Sequence, residues 1–239
     1  MEQGCKTSKY PKVPIKLYHR FRGLPQINKK CSAAIIQECV NICPQDAIDA
    51  AAKTIDLGCC TFCGQCETIG DGAFVRFSQN FDLGAAHRTD LVTNGSLPTL
   101  AKHTKKHFKK LFGRSLQLRQ ISAGGCNSCE ADTNVLNTPF FDLSRFGIDF
   151  VASPRHADGI HVTGPISRNM KQALQDTYDA VASPKVVIAS GCCSISGGPF
   201  FGSEEIVGDL SSVIPVDLYI PGCPPHPLTT LHAMLNFFK

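Results

Sequence analysis

The second half of this 239-residue chain predicts an α/β fold, a mostly parallel sheet wrapped by helices. Three observations carry the prediction. Short apolar, β-prone runs alternate with stretches of helical spacing from residue 115 onward. Three of these runs lead directly into glycine- or proline-rich loops. Each such loop bears cysteine: Gly124-Gly125-Cys126-Asn127-Ser128-Cys129-Glu130, Ser190-Gly191-Cys192-Cys193-Ser194 and Ile220-Pro221-Gly222-Cys223-Pro224-Pro225. Loops beyond the carboxyl ends of parallel strands converge, so thiols distant in sequence can meet at one edge of the sheet.

The elements follow in order. Ser115 to Ile121 starts as an alternating strand, and Glu130 onward reads as helix. Gly147 to Val151 and Gly159 to Thr163 are apolar and β-prone. Asn169 to Ala182 has helical spacing through Met170, Leu174 and Tyr178. Lys185 to Ala189 and Val216 to Ile220 are short buried strands, and Pro227 to Phe238 is a helix with proline in its first turn. The chain divides into an extension over 1–28, a cysteine-dense module over 29–81, a connector over 82–114 and the α/β domain over 115–239. Weak periodicity in the second of these suggests a fold that depends on metal.

Thirteen cysteines occur in C-x-x-C and C-C groups, and Met1 to Arg22 lacks an apolar signal-peptide core. Reduced cytoplasmic thiols, many of them on metal, are expected rather than disulfides. No run reaches the ~18–20 apolar residues of a membrane span, so any work at a membrane requires an anchoring partner. A net charge of +4 is too small to argue for nucleic acid. The basic run Lys102 to Lys110 reads as a solvated face or a patch for an anionic surface.

Spacing is informative in the first half. Two-cluster bacterial ferredoxins repeat C-x2-C-x2-C-x3-C-P, the fourth cysteine of each repeat serving the other cluster. Cys39-Val40-Asn41-Ile42-Cys43-Pro44 keeps the tail of a first repeat, and Cys60-Thr61-Phe62-Cys63-Gly64-Gln65-Cys66 keeps the head of a second. Cys43, Cys60, Cys63 and Cys66 therefore complete one 4Fe-4S site, with a zinc site as the alternative. The twin would need cysteine at 33, 36, 39 and 70, where the chain has Ala33, Ile36, Cys39 and Gly70. Cys5, Cys31, Cys39 and Cys59 are spare or buried thiols, or members of an atypical third cluster.

The runs Arg119-Gln120-Ile121, Gly125 to Glu130, Arg145-Phe146-Gly147-Ile148, Ser153 to Asp158, Thr163-Gly164-Pro165, Ser196-Gly197-Gly198 and Ile214 to Pro225 resemble one family. It is the small, cluster-bearing subunit of membrane-bound nickel–iron hydrogenases of the formate hydrogenlyase type, related to the 20 kDa subunit of respiratory complex I. The N-terminal half, with Phe21-Arg22-Gly23 and Asp56-Leu57-Gly58, is similar to the ferredoxin-like subunit of such complexes. The resemblance implies a flavodoxin-like α/β domain preceded by a small α+β ferredoxin-like domain. It implies a proximal 4Fe-4S cluster on Cys126, Cys129, Cys193 and Cys223, with Cys192 spare, and so two 4Fe-4S clusters per chain. Cys126 and Cys129 are spaced as in the hydrogenase branch, whereas complex I subunits carry adjacent cysteines there.

The resemblance further implies an electron-relay subunit without catalytic machinery of its own, cytoplasmic and held at the inner face of the membrane by membrane subunits. Its expected partners are a nickel–iron large subunit and a ferredoxin or dehydrogenase donor. Glu130 matches a residue linked to proton movement, or is a carboxylate at a helix N-terminus. Arg155, His156 and Asp158 pair structurally or face the large subunit. A complex I-like quinone reductase and a stand-alone iron–sulfur redox module are the alternatives.

Overall fold

The computed structural model describes residues 4–98 and 115–238. The basic run Lys102 to Lys110, and the part of the connector from 99 to 114, lie outside the described residues.

The first half builds β1 (Pro25–Ile27), α1 (Ala33–Ile42), β2 (Ile48–Asp49), β3 (Thr54–Asp56), α2 (Gln65–Ile69) and β4 (Val75–Phe77). β1 pairs antiparallel with β4, and β2 with β3. Serine at position 32 starts α1, its hydroxyl accepting from the Ile35 amide at 3.5 Å. Ile36 and Cys39, three apart on one face, bury that helix in the core. Cys43-Pro44 ends it, since the residue before a proline is driven to extended backbone.

Residues 82–98, within the expected connector, are packed structure. β5 (Val92–Thr93) extends the pairing of β2 and β3. Leu83, Ala85 and Leu91 are buried. The Ala85 and Tyr219 backbones exchange both hydrogen bonds, at 3.0 and 2.8 Å.

The second half is a five-stranded, all-parallel sheet of β6 (Leu116–Ser122), β7 (Ile148–Phe150), β8 (Gly159–Thr163), β9 (Val186–Ser190) and β10 (Leu218–Ile220). Its order, β10-β9-β8-β6-β7, reverses direction between β6 and β8, which puts the loop carrying Cys126 at the topological switch point. The helices are α3 (Ser128–Val135), α4 (Arg168–Ala180), α5 (Cys192–Ser196) and α6 (Pro227–Phe238). β8 and β9 are buried at every residue, as expected of central strands covered on both faces. α4 stops at Ala180, two residues short of its expected end, where the backbone of Val181 turns extended.

Alternation of side chains splits the sheet between two cores. Leu116, Leu118, Ile188 and Leu218 face α6, through Leu228, Leu231 and Met234. Ile121, Ile160, Val162, Val187 and Tyr219 face the opposite way, into a core shared with Ile36, Ile55, Leu57 and Phe74 of the first half. The N-terminal module thus covers one face of the sheet alongside α4.

Candidate metal centres

The C-terminal cysteines stand on three strand ends. Cys126 and Cys129 follow β6, Cys193 lies in α5 directly after β9, and Cys223 follows β10. Backbone bonds stitch the last two loops together: the Gly191 amide donates to Ile220 O and the Cys192 amide to Gly222 O, both at 2.9 Å. The thiols share one electrostatic environment. Burial, then the fields of Cys193, Glu130, Cys223 and Cys126, pushes the Cys129 thiol up to about 12. Gly191 lies at φ 92, and a Cβ there would sit 2.8 Å from Cys129 Sγ, so the strand end is cut back where the sulfur lies.

Cys192 and Cys193 are adjacent but chemically distinct. Hydrogen bonds from the Cys192 thiol to Cys193 and Cys223, with burial, hold Cys192 protonated. The same bonds lower Cys193, and bring Cys223 down to about 7. Cys192, Cys193 and Cys223 therefore titrate as one hydrogen-bonded group of sulfurs rather than as separate thiols.

Glu130, in the first turn of α3, accepts from Thr163 Oγ1 at 2.7 Å. Burial opposes its ionisation, but hydrogen bonds from Ser122 and Thr163 outweigh this and keep its carboxyl below the usual range. Its Oε2 and both ring nitrogens of the fully buried His161 have no protein partner. Burial, against the field of Glu130, depresses His161 to about 4 and keeps it neutral near pH 7. Of the Arg155–Asp158 loop, Asp158 accepts from the Gln117 amide at 2.8 Å, while Arg155 and His156 are exposed.

In the first half, Cys43, Cys60, Cys63 and Cys66 line one cavity together with apolar Ala47, Ile48 and Ile55. Burial, followed by the fields of Cys66, Cys43 and Cys63, pushes Cys60 up to about 12. Cys66 is pushed up similarly, by burial and then by Cys39, Cys63 and Cys43. Backbone amides already point at sulfur, from Ala47 to Cys43 Sγ at 3.4 Å and from Phe62 to Cys60 Sγ at 3.3 Å. At the twin position, Ile36 and Cys39 are buried and the Cys39 thiol donates to Cys66 O at 3.3 Å. Cys31 lies within the field of Cys39. Cys59 donates to Asp56 Oδ2 at 3.4 Å, and Cys5 is exposed.

Two groups at the junction of the halves have no local sequence signal. Arg88 grips Asp56 through two bonds of 2.7 and 2.6 Å. Ser196 donates to Gly58 O at 3.0 Å, tying the turn after Cys193 to the segment before Cys60.

Both sets of four fit an iron–sulfur cluster by donor chemistry, four soft thiols each, and the N-terminal set adds apolar surroundings and amides directed at sulfur. Among the described residues no three histidine, cysteine, aspartate or glutamate side chains are arranged to hold a single metal ion. Thiolates around a multi-iron cluster ligate different irons and need not converge on one point. No helix among the described residues is long and apolar enough to cross a membrane.

The fold and the gathered thiols define a cysteine-rich α/β subunit of the redox type, and sequence comparison gives the particular kind. Residues 126–237 match the family "NADH ubiquinone oxidoreductase, 20 Kd subunit". The chain is 39% identical over 126 residues to a probable membrane-bound hydrogenase subunit, mbhJ, of Pyrococcus furiosus, covering 53% of this chain and 75% of that one. It is 40% identical over 129 residues to formate hydrogenlyase subunit 7 of Escherichia coli, covering 54% of this chain and about half, 51%, of that relative. A subunit of the NADH-quinone oxidoreductase of Bacteroides fragilis is 37% identical over 159 residues, covering 62% of this chain and 80% of that one. The chain belongs to the 20 kDa subunit family of NADH ubiquinone oxidoreductase, and these relatives are subunits of hydrogenase, formate hydrogenlyase and quinone-reducing complexes.

Proposed function

We propose that this chain is a non-catalytic electron-relay subunit of a membrane-associated hydrogenase-type complex, holding two 4Fe-4S clusters. The observation that carries the reading is the pair of four-cysteine sets, each gathered from segments distant in sequence. Cys126, Cys129, Cys193 and Cys223 would hold the cluster facing a nickel–iron large subunit. Cys43, Cys60, Cys63 and Cys66, in a ferredoxin-like module, would hold the cluster facing a ferredoxin or dehydrogenase donor. Bound clusters supply one-electron exchange at potentials set by hydrogen bonds to sulfur and by burial. The chain's own residues orient the thiols, set Cys60 and Cys66 against apolar Ala47, Ile48 and Ile55, and hold Glu130 ionised beside Cys129. With no spanning helix among the described residues, attachment at the inner membrane face falls to partner subunits.

The 37% identity to a component of an NADH-quinone oxidoreductase favours a second reading, in which the large subunit has no nickel–iron site and reduces quinone. The identity of the large subunit that co-purifies separates the two. Anaerobically isolated protein should contain about eight irons and about eight labile sulfides per chain. Four irons would remove the N-terminal assignment, and stoichiometric zinc would remove the relay.

A further inference from the structure

A cleft of about 260 Å³ lies between the Cys60–Cys66 run and the loop of Cys223. Thr61 and Phe62, inside the Cys60–Cys66 run, line one wall, and Gly222 and Cys223 line another. Arg20 and Arg22 close it from the N-terminal segment, and Asp132 is the acidic residue on its lining.

Arg22 is exposed, but its side chain lies against the loop that carries Cys60, Cys63 and Cys66. Its guanidinium lies on the backbone of Gly64, where an added Cβ would fall 2.6 Å from Arg22 Cζ. Gly64 has φ +80, a conformation that favours glycine, and the bare backbone there lets the Arg22 guanidinium lie close. Arg22 Nη1 reaches Phe62 O at 3.5 Å, and Phe62 itself sits at φ 55. Behind Arg22 the backbone is anchored, with the Gly23 amide donating to Ser78 O at 2.7 Å and that of Leu24 to Asn80 O at 2.9 Å. In front of it Phe21 packs edge-on against His226, ring centroids 5.1 Å apart, three residues beyond Cys223. One short segment therefore touches both cysteine loops.

Its charge is also unspent. Arg88, the other arginine beside the N-terminal cysteines, is neutralised by Asp56 at 2.6 Å. Among the described residues Arg22 makes no ion pair, with Asp132 or any other carboxylate. Guanidinium stays protonated throughout the accessible pH range. A fixed positive charge favours whichever state of a nearby cluster is more negative, and that is the reduced one.

We propose that Arg22 is a positioning residue that braces the Cys60–Cys66 loop and sets an uncompensated positive charge between the two clusters, raising the reduction potential of the N-terminal one; this rests on the two-cluster reading above. Arg20 shares the cleft, and among the described residues its side chain makes no hydrogen bond or ion pair to the loop. The cation is partly screened where it meets solvent, so its effect weakens as salt rises.

The test is an EPR-monitored redox titration of both clusters in the anaerobically purified protein, with iron and sulfide analysis of each sample. Arg22→Gln should keep the about eight irons expected of two cubanes. It should lower the N-terminal midpoint, shift the C-terminal midpoint less, and show a smaller difference from the parent in high salt. Arg22→Lys should retain most of the parent potential, and Arg20→Gln should move it less than Arg22→Gln does. Unchanged midpoints in Arg22→Gln, or an equal shift from Arg20→Gln, overturn the proposal. Loss of the N-terminal cluster in both Arg22 variants also overturns it, leaving Arg22 a folding residue. A parent protein with only four irons refutes the two-cluster reading itself, a result read before any variant is compared.

Discussion

Cys126, Cys129, Cys193 and Cys223 stand on the ends of β6, β9 and β10, whereas Cys43, Cys60, Cys63 and Cys66 line a cavity in a module whose strands are two or three residues long. The first set inherits its geometry from a parallel sheet buried on both faces, and Cys126 and Cys223 remain exposed at its edge. The second set has little independent secondary structure to stand on, and its half-buried Cys60 and Cys66 share a cavity with Ala47, Ile48 and Ile55 while Cys63 is exposed. A site on a preformed scaffold can exist before its metal arrives. A site that is itself the centre of a small module contributes to folding it.

The largest effect expected from this contrast is on metal removal. Stripping the metal with a chelator should leave amides of β6, β8 and β9 protected from hydrogen exchange while those of β1 to β4 exchange freely. The shared core of Ile36, Ile55 and Phe74 with Ile160 and Tyr219 works against so clean a division. Simultaneous loss of protection in both halves would break the comparison and make the chain one cooperative unit.

The next effect sharpens the sheet-edge site. Cys193→Ser should abolish the C-terminal cluster's EPR signal, while Cys192→Ser retains it, because Cys129 lies in the fields of Cys193, Cys223 and Cys126 and not in that of Cys192. Iron analysis should give about four irons for the first variant and about eight for the second. The reverse pattern would exchange their roles.

How much of this was legible in sequence follows the same division. β8 and α6 occupy the residues that apolar runs and Pro227 indicated, Gly159–Thr163 and Pro227–Phe238. That the three cysteine loops of the second half meet at one sheet edge followed from parallel-sheet geometry once the strands were placed, whereas the choice of four among their cysteines came from the family resemblance. In the first half the ferredoxin spacing indicated which four thiols gather, yet α1 was hidden by a run in which only Ile36 and Cys39 are buried. Residues 82–98 read as connector because their partners are remote: Ala85 pairs with Tyr219, and Arg88 with Asp56. The roles of Cys192 and Cys193 could not come from spacing, since the two are adjacent in the first turn of α5. Arg22 stood inside a noted motif, but its contact with Gly64 depends on a fold spanning about forty residues of chain.

The smallest effect concerns how the two sites are held together. Asp56 and Arg88 lie at the junction, their side chains 24% and 30% exposed, and the Asp56 carboxyl also accepts from the Gly58 amide at 2.8 Å. Burial raises the Asp56 pKa, but the hydrogen bond and charge of Arg88, with the Gly58 amide and Cys59, bring it below the usual carboxylate range. A depressed folded-state pKa means stability that is fully present above the unfolded value of about 3.9 and lost as pH falls through the lower folded value. At neutral pH the pair is therefore intact, and urea is a better probe of it than acid. Arg88→Gln leaves a half-buried carboxylate without its cation and should cost about 1–3 kcal/mol. The double variant with Asp56→Asn should recover part of that loss, since it removes the stranded charge. A shift confined to β2, β3 and β5 in hydrogen exchange would place the pair within the N-terminal module. Loss of protection at β10 as well would show that Arg88, through the Ala85–Tyr219 pairing, locks the module to the sheet that carries the other four cysteines.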